Sequence, residues 1–376
     1  KRMEMKMVLR MFVLLGFCAY CTSSKEPRFF LSSAAPSLES YNVDKSQVSV
    51  SGISSGACFA TQFHVIHSAQ IMGVGMIAGA PFACTGGNAA TALLCMQTPS
   101  LISPTALEAI VTSGANVGNA DATSNLLHDK VYIFDGQLDS VVNPGVGPKI
   151  QQFYGHFISD AGHIKTVFDV QAEHGQPTDN FGGPCNKLSH TDFILNCNYS
   201  AAFDLLNFIY GGHLKRPNAH TSPAGKLLKF NQEDFFYVST PSMYSMDDIG
   251  YIYVPSRCLD KSRSCKLHIA FHGCLMGQRY IGENYVSHAG YNEVGELNNI
   301  IILYPQVIKS LTNPQGCWDW WGYTGVLFKY IHTYIHTQTL SFSNKGIHLN
   351  IFQLLKTISI ANFGSRYLIQ FVHFYR

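Results

Sequence analysis

The chain has 376 residues, 46% of them apolar, and its 26 basic and 24 acidic residues leave a formal net charge of only +2. That length and composition fit one large globular domain or two small ones. The near balance of charge excludes the basic footprint of a nucleic-acid binder.

In chain order, residues 1–23 read as a secretory signal peptide. Lys6 and Arg10 precede the apolar run Met11–Tyr20, which ends in Cys21, Thr22 and Ser23. The run is too short to span a bilayer. Export makes disulfides expected among the 11 cysteines. Cys18 and Cys21 leave with the signal, and the odd number remaining implies at least one free thiol. Near neighbours are the expected pairs: Cys185 with Cys197, Cys258 with Cys265, and Cys84 or Cys58 with Cys95. No zinc-type C-x-x-C pair lies in the mature chain. Asn198-Tyr199-Ser200 is a glycosylation sequon.

Residues 52–56, Gly-Ile-Ser-Ser-Gly, follow a strand pattern (Val48, Val50) and precede a helix pattern (Phe59, Phe63, Ile66). This strand–turn–helix context is that of a nucleophile elbow. The tight turn demands glycine on both sides of Ser54 and a strained backbone at Ser54 itself. His64 and His67, on the elbow helix, read as structural. Further strands are expected at 71–80, 130–134, 164–170, 226–230, 249–254, 266–271 and 299–304, with a helix at 199–210 and a polar linker at 213–225. Alternating strands and helices imply an α/β fold with a mainly parallel central sheet.

The order of the parts is unusual. A strand ending in His-Gly, which supplies the oxyanion loop, ordinarily precedes the elbow. Here His272-Gly273-Cys274 follows it. The sequence therefore reads as a circularly permuted α/β-hydrolase. The acid and base should follow the elbow in that order. Asp135 and Asp139 compete for the acid, and Asp139 is favoured because it lies far enough into its loop to swing back to a histidine. Among 16 histidines, His174 opens a loop of turn-forming residues where the base belongs. Ser54 would attack an ester carbonyl with His174 as base and Asp139 fixing its tautomer. The amides of Ser55 and Cys274 would hold the oxyanion, with His272 bracing their loop. This chemistry calls for no cofactor and no metal.

Gly-Ile-Ser-Ser-Gly-Ala, Asp-Gly-Gln-Leu-Asp-Ser-Val-Val, Glu-His-Gly-Gln-Pro-Thr-Asp, His-Gly-Cys and Asn-Pro-Gln-Gly-Cys-Trp-Asp-Trp-Trp-Gly-Tyr occur in that order. Together they resemble the circularly permuted, single-domain poly(3-hydroxybutyrate) depolymerases of fungal type and their animal relatives, over about residues 40–325. The resemblance implies the triad Ser54, Asp139 and His174, the oxyanion donors Ser55 and Cys274, and a Cys274–Cys317 bridge. It also implies that Trp318, Trp320 and Trp321 line a crevice for a polyester or oligoester substrate. The catalytic domain is expected at 24–325, with a divergent tail at 326–376. Lys356 and Arg366 interrupt the tail's apolar stretches, so stable membrane insertion is not expected. The elbow and triad do not distinguish acyl groups. An acetyl or feruloyl esterase acting on polysaccharide therefore stays open, as does an inactive secreted binding protein or splice form.

Overall fold

The computed structural model describes residues 35–218, 220–236 and 240–325. The expected signal peptide and the tail after residue 325 lie outside the described residues.

An eight-stranded sheet forms the centre. Strand β1 (Val43–Ile53) runs straight into helix α1 (Ser55–Ile66), and β2 (Gly73–Ile77) follows. Helices α2 (Ala89–Gln97) and α3 (Pro104–Asn116) lead to β3 (Lys130–Phe134), and α4 (Val146–Phe157) to β4 (Ile164–Val167). Three short strands, β5 (Gln176–Thr178), β6 (Gly183–Pro184) and β7 (Ile194–Asn196), make a separate small sheet before α5 (Ala201–Ile209). The chain then crosses to the other half of the main sheet with β8 (Lys226–Asn231), β9 (Ile249–Val254) and β10 (Cys265–Phe271). Helices α6 (Gln278–Ile281), α7 (Asn284–His288) and α8 (Tyr291–Asn298) lead to β11 (Ile300–Tyr304).

The strand order is β4-β3-β2-β1-β10-β11-β9-β8. All pairings from β4 to β11 are parallel, and β9 and β8 are antiparallel at one edge. The early half of the chain therefore builds outward from β1 in one direction. The late half returns to β1's other side, so that β10, which carries the oxyanion loop, pairs directly with the elbow strand. This is the permuted order expected from the sequence. Two strand boundaries were legible to the residue, β3 and β9. The helices between β10 and β11 and the small sheet were not foreseen.

The apolar core lies on both faces of the sheet, with α1 and α4 on one side and α5 and α8 on the other. Strands buried on both faces read as near-continuous apolar runs, as at 266–271 and 300–304. One polar network interrupts this core. Ser49 and Ser51 on β1 bond the two ring nitrogens of His268 on β10, each at 2.7 Å. Tyr210 and Tyr291 complete it. Burial lowers the His268 pKa to about 3, which keeps the ring neutral.

Four disulfides, Cys84–Cys95, Cys185–Cys197, Cys258–Cys265 and Cys274–Cys317, match the expected pairs and resolve the choice left open at Cys95. Among the described residues Cys58 is the free thiol, buried in α1. Among the described residues no helix is long and apolar enough to cross a membrane.

Candidate active site

Every expected reacting group sits beyond the C-terminal end of a parallel strand: Ser54 after β1, Asp139 after β3, His174 after β4 and Cys274 after β10. Ser54 is only partly buried and adopts φ 55° and ψ −123°, a conformation that side chains avoid. Its N–H is held by the Ile77 carbonyl at 2.9 Å. A Cβ at Gly52 would lie 2.3 Å from the Gly56 backbone, and one at Gly56 would lie 2.3 Å from the Phe271 carbonyl. Gly52 thus makes room for the start of α1, and Gly56 for the end of β10.

The acid and base meet as expected. His174 Nδ1 and Asp139 Oδ2 are 2.8 Å apart, and both residues are buried. The other carboxylate oxygen accepts the amides of Val141 and Val142 at 2.8 and 2.7 Å. A carboxylate here can only accept, so Nδ1 of His174 carries the hydrogen and Nε2 is left to take a proton. Glu173 was missed in the sequence. Its Oε2 accepts the His174 amide at 2.8 Å and the Ser140 amide at 3.1 Å, clamping the base loop to the acid loop. Its adjacency to His174 was the only available signal.

The rival acid does something else. Asp135 is buried at the end of β3, with the Gly147 and Ala78 backbone as its nearest polar neighbours. Burial, and then the charge of Asp139, push its pKa well above the usual carboxylate range. Its place in the core favours the neutral acid over the carboxylate.

The oxyanion loop abuts the nucleophile: a Cβ at Gly273 would stand 3.4 Å from Ser54 Cβ. His272 is fully buried and bonds the Gly273 carbonyl through Nδ1 at 2.7 Å, while its Nε2 accepts the Val307 amide at 3.3 Å. This fixes the tautomer, and burial lowers its pKa to about 4. His272 thus braces the loop as a neutral ring. Ser55 opens α1, so its N–H is one of those that helix geometry leaves without an intrahelical acceptor. The Cys274–Cys317 bridge ties this loop to the tryptophan segment.

That segment departs from expectation. Trp318 is 0% exposed and packs on Phe59, Phe271 and His272, which places it in the core beneath the elbow. It lines no crevice. Trp320 is only 6% exposed and belongs to the same core. Trp321 alone is half-exposed, with its ring edge-on to Trp320 and Tyr323. Buried Asp319 sets this arrangement by accepting the amides of Gly322, Tyr323 and Thr324 at 2.7, 3.1 and 3.0 Å. His64 is also structural, with one ring nitrogen on Asp129 and the other on Tyr154, both at 3.0 Å.

No protein-family model matches the chain. It is 38% identical over 293 residues to a poly(3-hydroxybutyrate) depolymerase of Delftia acidovorans, covering 77% of this chain and 57% of that relative's length. It is 36% identical over 306 residues to a polyhydroxybutyrate depolymerase of Talaromyces funiculosus, covering 78% of this chain and 87% of the relative. Two solved structures are similar at 30% identity, each covering 88% of this chain and 98% of the other. One is a PHB depolymerase serine-to-alanine variant complexed with an R3HB trimer, at TM-score 0.72. The other is the PHB depolymerase of Penicillium funiculosum, at 0.71.

Proposed function

Because the chain belongs to the polyhydroxybutyrate depolymerase family, we propose that it is a secreted serine esterase that hydrolyses polyhydroxybutyrate and its oligomers through an acyl-enzyme. The carrying observation is the buried His174–Asp139 hydrogen bond at the strand edge that presents the strained Ser54. Ser54 Oγ attacks the ester carbonyl and its proton passes to His174 Nε2. The oxyanion is held by the amides of Ser55 and Cys274, each worth around 3 kcal/mol in the transition state. The intermediate collapses, the alcohol end of the polymer takes the proton from His174 and leaves, and the acyl group stays on Ser54. Water then attacks the acyl carbonyl, giving a proton to His174, which passes it to Ser54 Oγ as the acyl–oxygen bond breaks and the hydroxy acid is released.

Two features support a solid polyester over a soluble ester alone. Trp321 offers a partly exposed aromatic face four residues from Cys317, which the Cys274 bridge ties to the oxyanion loop. Exposed Leu93 and Leu94 on α2 and Leu138 beside Asp139 add apolar surface. The α2 segment is pinned to the acid loop by the Asn143 amide on the Met96 carbonyl at 2.8 Å. Four disulfides support secretion, since such bonds persist in oxidising compartments.

The test is direct. A serine-directed fluorophosphonate should label Ser54, and the protein should release 3-hydroxybutyrate from polymer film. Labelling without release from any hydroxyalkanoate ester would remove the substrate assignment. Absence of both would remove the enzyme reading.

A further inference from the structure

A cavity of about 330 Å³, lined by none of the proposed reacting groups, opens between the β5–β6 turn, the start of α5, the start of α8, and Arg216, Asn218 and Thr221. Its lining combines two chemistries. Phe181 and Phe203 supply apolar ring surface, each already fixed in place: Phe181 stacks on His288 at 3.9 Å, and Arg216 lies over Phe203 at 5.0 Å. Asp179 and Glu293 supply carboxyl acceptors. Glu293 Oε2 is buried and bonded to nothing among the described residues. A buried acceptor without a donor is costly. A ligand rich in hydroxyl donors, with apolar C–H faces and no net charge, satisfies all of these groups at once. That is the chemistry of a sugar.

The rim of the same cavity carries the sequon. Asn198 lines it and is exposed, and its side-chain amide makes no hydrogen bond among the described residues. Its backbone is fixed at φ 50°, directly after the Cys185–Cys197 bridge. Tyr199 points inward, with its hydroxyl 2.5 Å from both Asp204 Oδ2 and Tyr132 Oη. Ser200 caps α5 by accepting the Phe203 amide at 3.3 Å. The folded sequon thus turns Asn198 out over a cavity built for a polyhydroxylated ligand.

We propose that this cavity seats an N-linked oligosaccharide carried on Asn198. The inference rests on the secretory reading above. In the modification, Asn198 Nδ2 bonds the anomeric carbon of the first N-acetylglucosamine of a lipid-linked oligosaccharide. The lipid diphosphate leaves and the amide loses one proton. The core sugars then lie across Phe181 and Phe203, with hydroxyls donating to Glu293 and Asp179. An attached sugar needs only a weak intrinsic affinity, because tethering supplies a high effective concentration.

The experiment expresses the chain in a host that N-glycosylates secreted proteins, behind a heterologous signal sequence, so that the result does not depend on the native N-terminus. The intact mass should fall on deglycosylation under denaturing conditions, and Asn198→Gln should lack that glycan. The folded protein is then treated with an endoglycosidase that cuts between the two core sugars. The Phe181→Ala, Arg216→Ala double variant should lose its glycan at least about tenfold faster than wild type, the equivalent of one modest contact. Absence of any glycan at Asn198 overturns the proposal. A glycan released equally fast from both folded proteins also overturns it, since the sugar then projects into solvent. Short-chain ester turnover should be unchanged in Asn198→Gln, which keeps this result separate from the fate of the esterase reading.

Discussion

Two serine–histidine arrangements draw their serines from within five residues of each other on β1 and the turn after it. In the first, Ser49 and Ser51 bond His268 at 2.7 Å. In the second, Ser54 is presented at the sheet edge where His174 is paired with Asp139. By proximity alone the first is the better dyad, yet it lacks everything that catalysis needs. All its members are 0% exposed, both histidine nitrogens are taken by hydroxyls, no carboxylate stands behind the ring, and a pKa of about 3 makes it a poor proton acceptor. Ser51 lies in regular parallel pairing with β2 and β10. Ser54 is held at positive φ, and its helper ring has a buried carboxylate to stabilise the imidazolium. Access, strain and a carboxylate beside the ring separate the proposed reacting site from the structural one.

The strongest way to break this contrast is to remove each serine. Ser54→Ala and His174→Ala should each lower turnover of a short-chain p-nitrophenyl ester by about 10⁶-fold, because triad members act as a unit. Ser51→Ala should keep turnover in the folded protein and lose about 1–3 kcal/mol of stability, the cost of leaving buried polar partners unsatisfied. Steady-state rates and urea unfolding on the same preparations read both. A folded Ser51→Ala protein as inactive as Ser54→Ala would overturn the assignment.

Next come the two carboxyls at the end of β3. Asp139→Asn should cost about 10⁴-fold in turnover by reversing the histidine tautomer. Asp135→Asn should stay within a few-fold, and it should show its effect in stability. The folded protein holds the Asp135 proton more tightly than the unfolded chain, which releases it above about pH 4. Wild-type stability therefore falls at this group as pH rises through that window. The asparagine variant removes the loss, so its advantage should be larger at pH 8 than at pH 5 in thermal unfolding. His272 acts with the opposite sign. Its folded pKa of about 4 lies below the unfolded value near 6.5, so stability present above pH 6.5 is lost as pH falls toward 4, by about 3 kcal/mol in all.

Much of the site was legible because its signals are local. The elbow announces itself through two glycines that cannot carry a Cβ, and the acid and base follow in the order the sheet dictates. The disulfides at 84–95, 185–197 and 258–265 close short loops, so sequence proximity sufficed. What stayed hidden depends on which way a side chain faces after distant strands pair. Ser49, Ser51 and His268 look like ordinary strand residues until β1 and β10 are adjacent. Glu173 acquires its clamp only when the loops after β3 and β4 meet. The tryptophans were misjudged for the same reason. Three rings within four positions suggested one surface, but Asp319 folds the segment back so that Trp318 and Trp320 enter the core and Trp321 stays partly exposed.

The smallest expected effect belongs to that segment, and it tests whether any of the three rings meets polymer. Trp318→Ala removes a fully buried ring beneath the elbow and should destabilise the fold by about 3–5 kcal/mol. That loss would appear equally against soluble ester and solid film. Trp321→Ala removes a half-exposed ring whose neighbours, Trp320 and Tyr323, remain to hold the backbone. A soluble p-nitrophenyl ester reaches only the reacting groups, whereas a flat apolar film also touches the surface around them. Trp321→Ala should therefore slow film degradation by roughly tenfold, about 1.4 kcal/mol for one aromatic anchor, while soluble-ester turnover stays within about twofold of wild type. Both rates are measured on one preparation with its melting temperature. Equal losses on the two substrates would make Trp321 structural like Trp318 and leave the exposed leucines of α2 and the acid loop as the remaining contact surface for polymer.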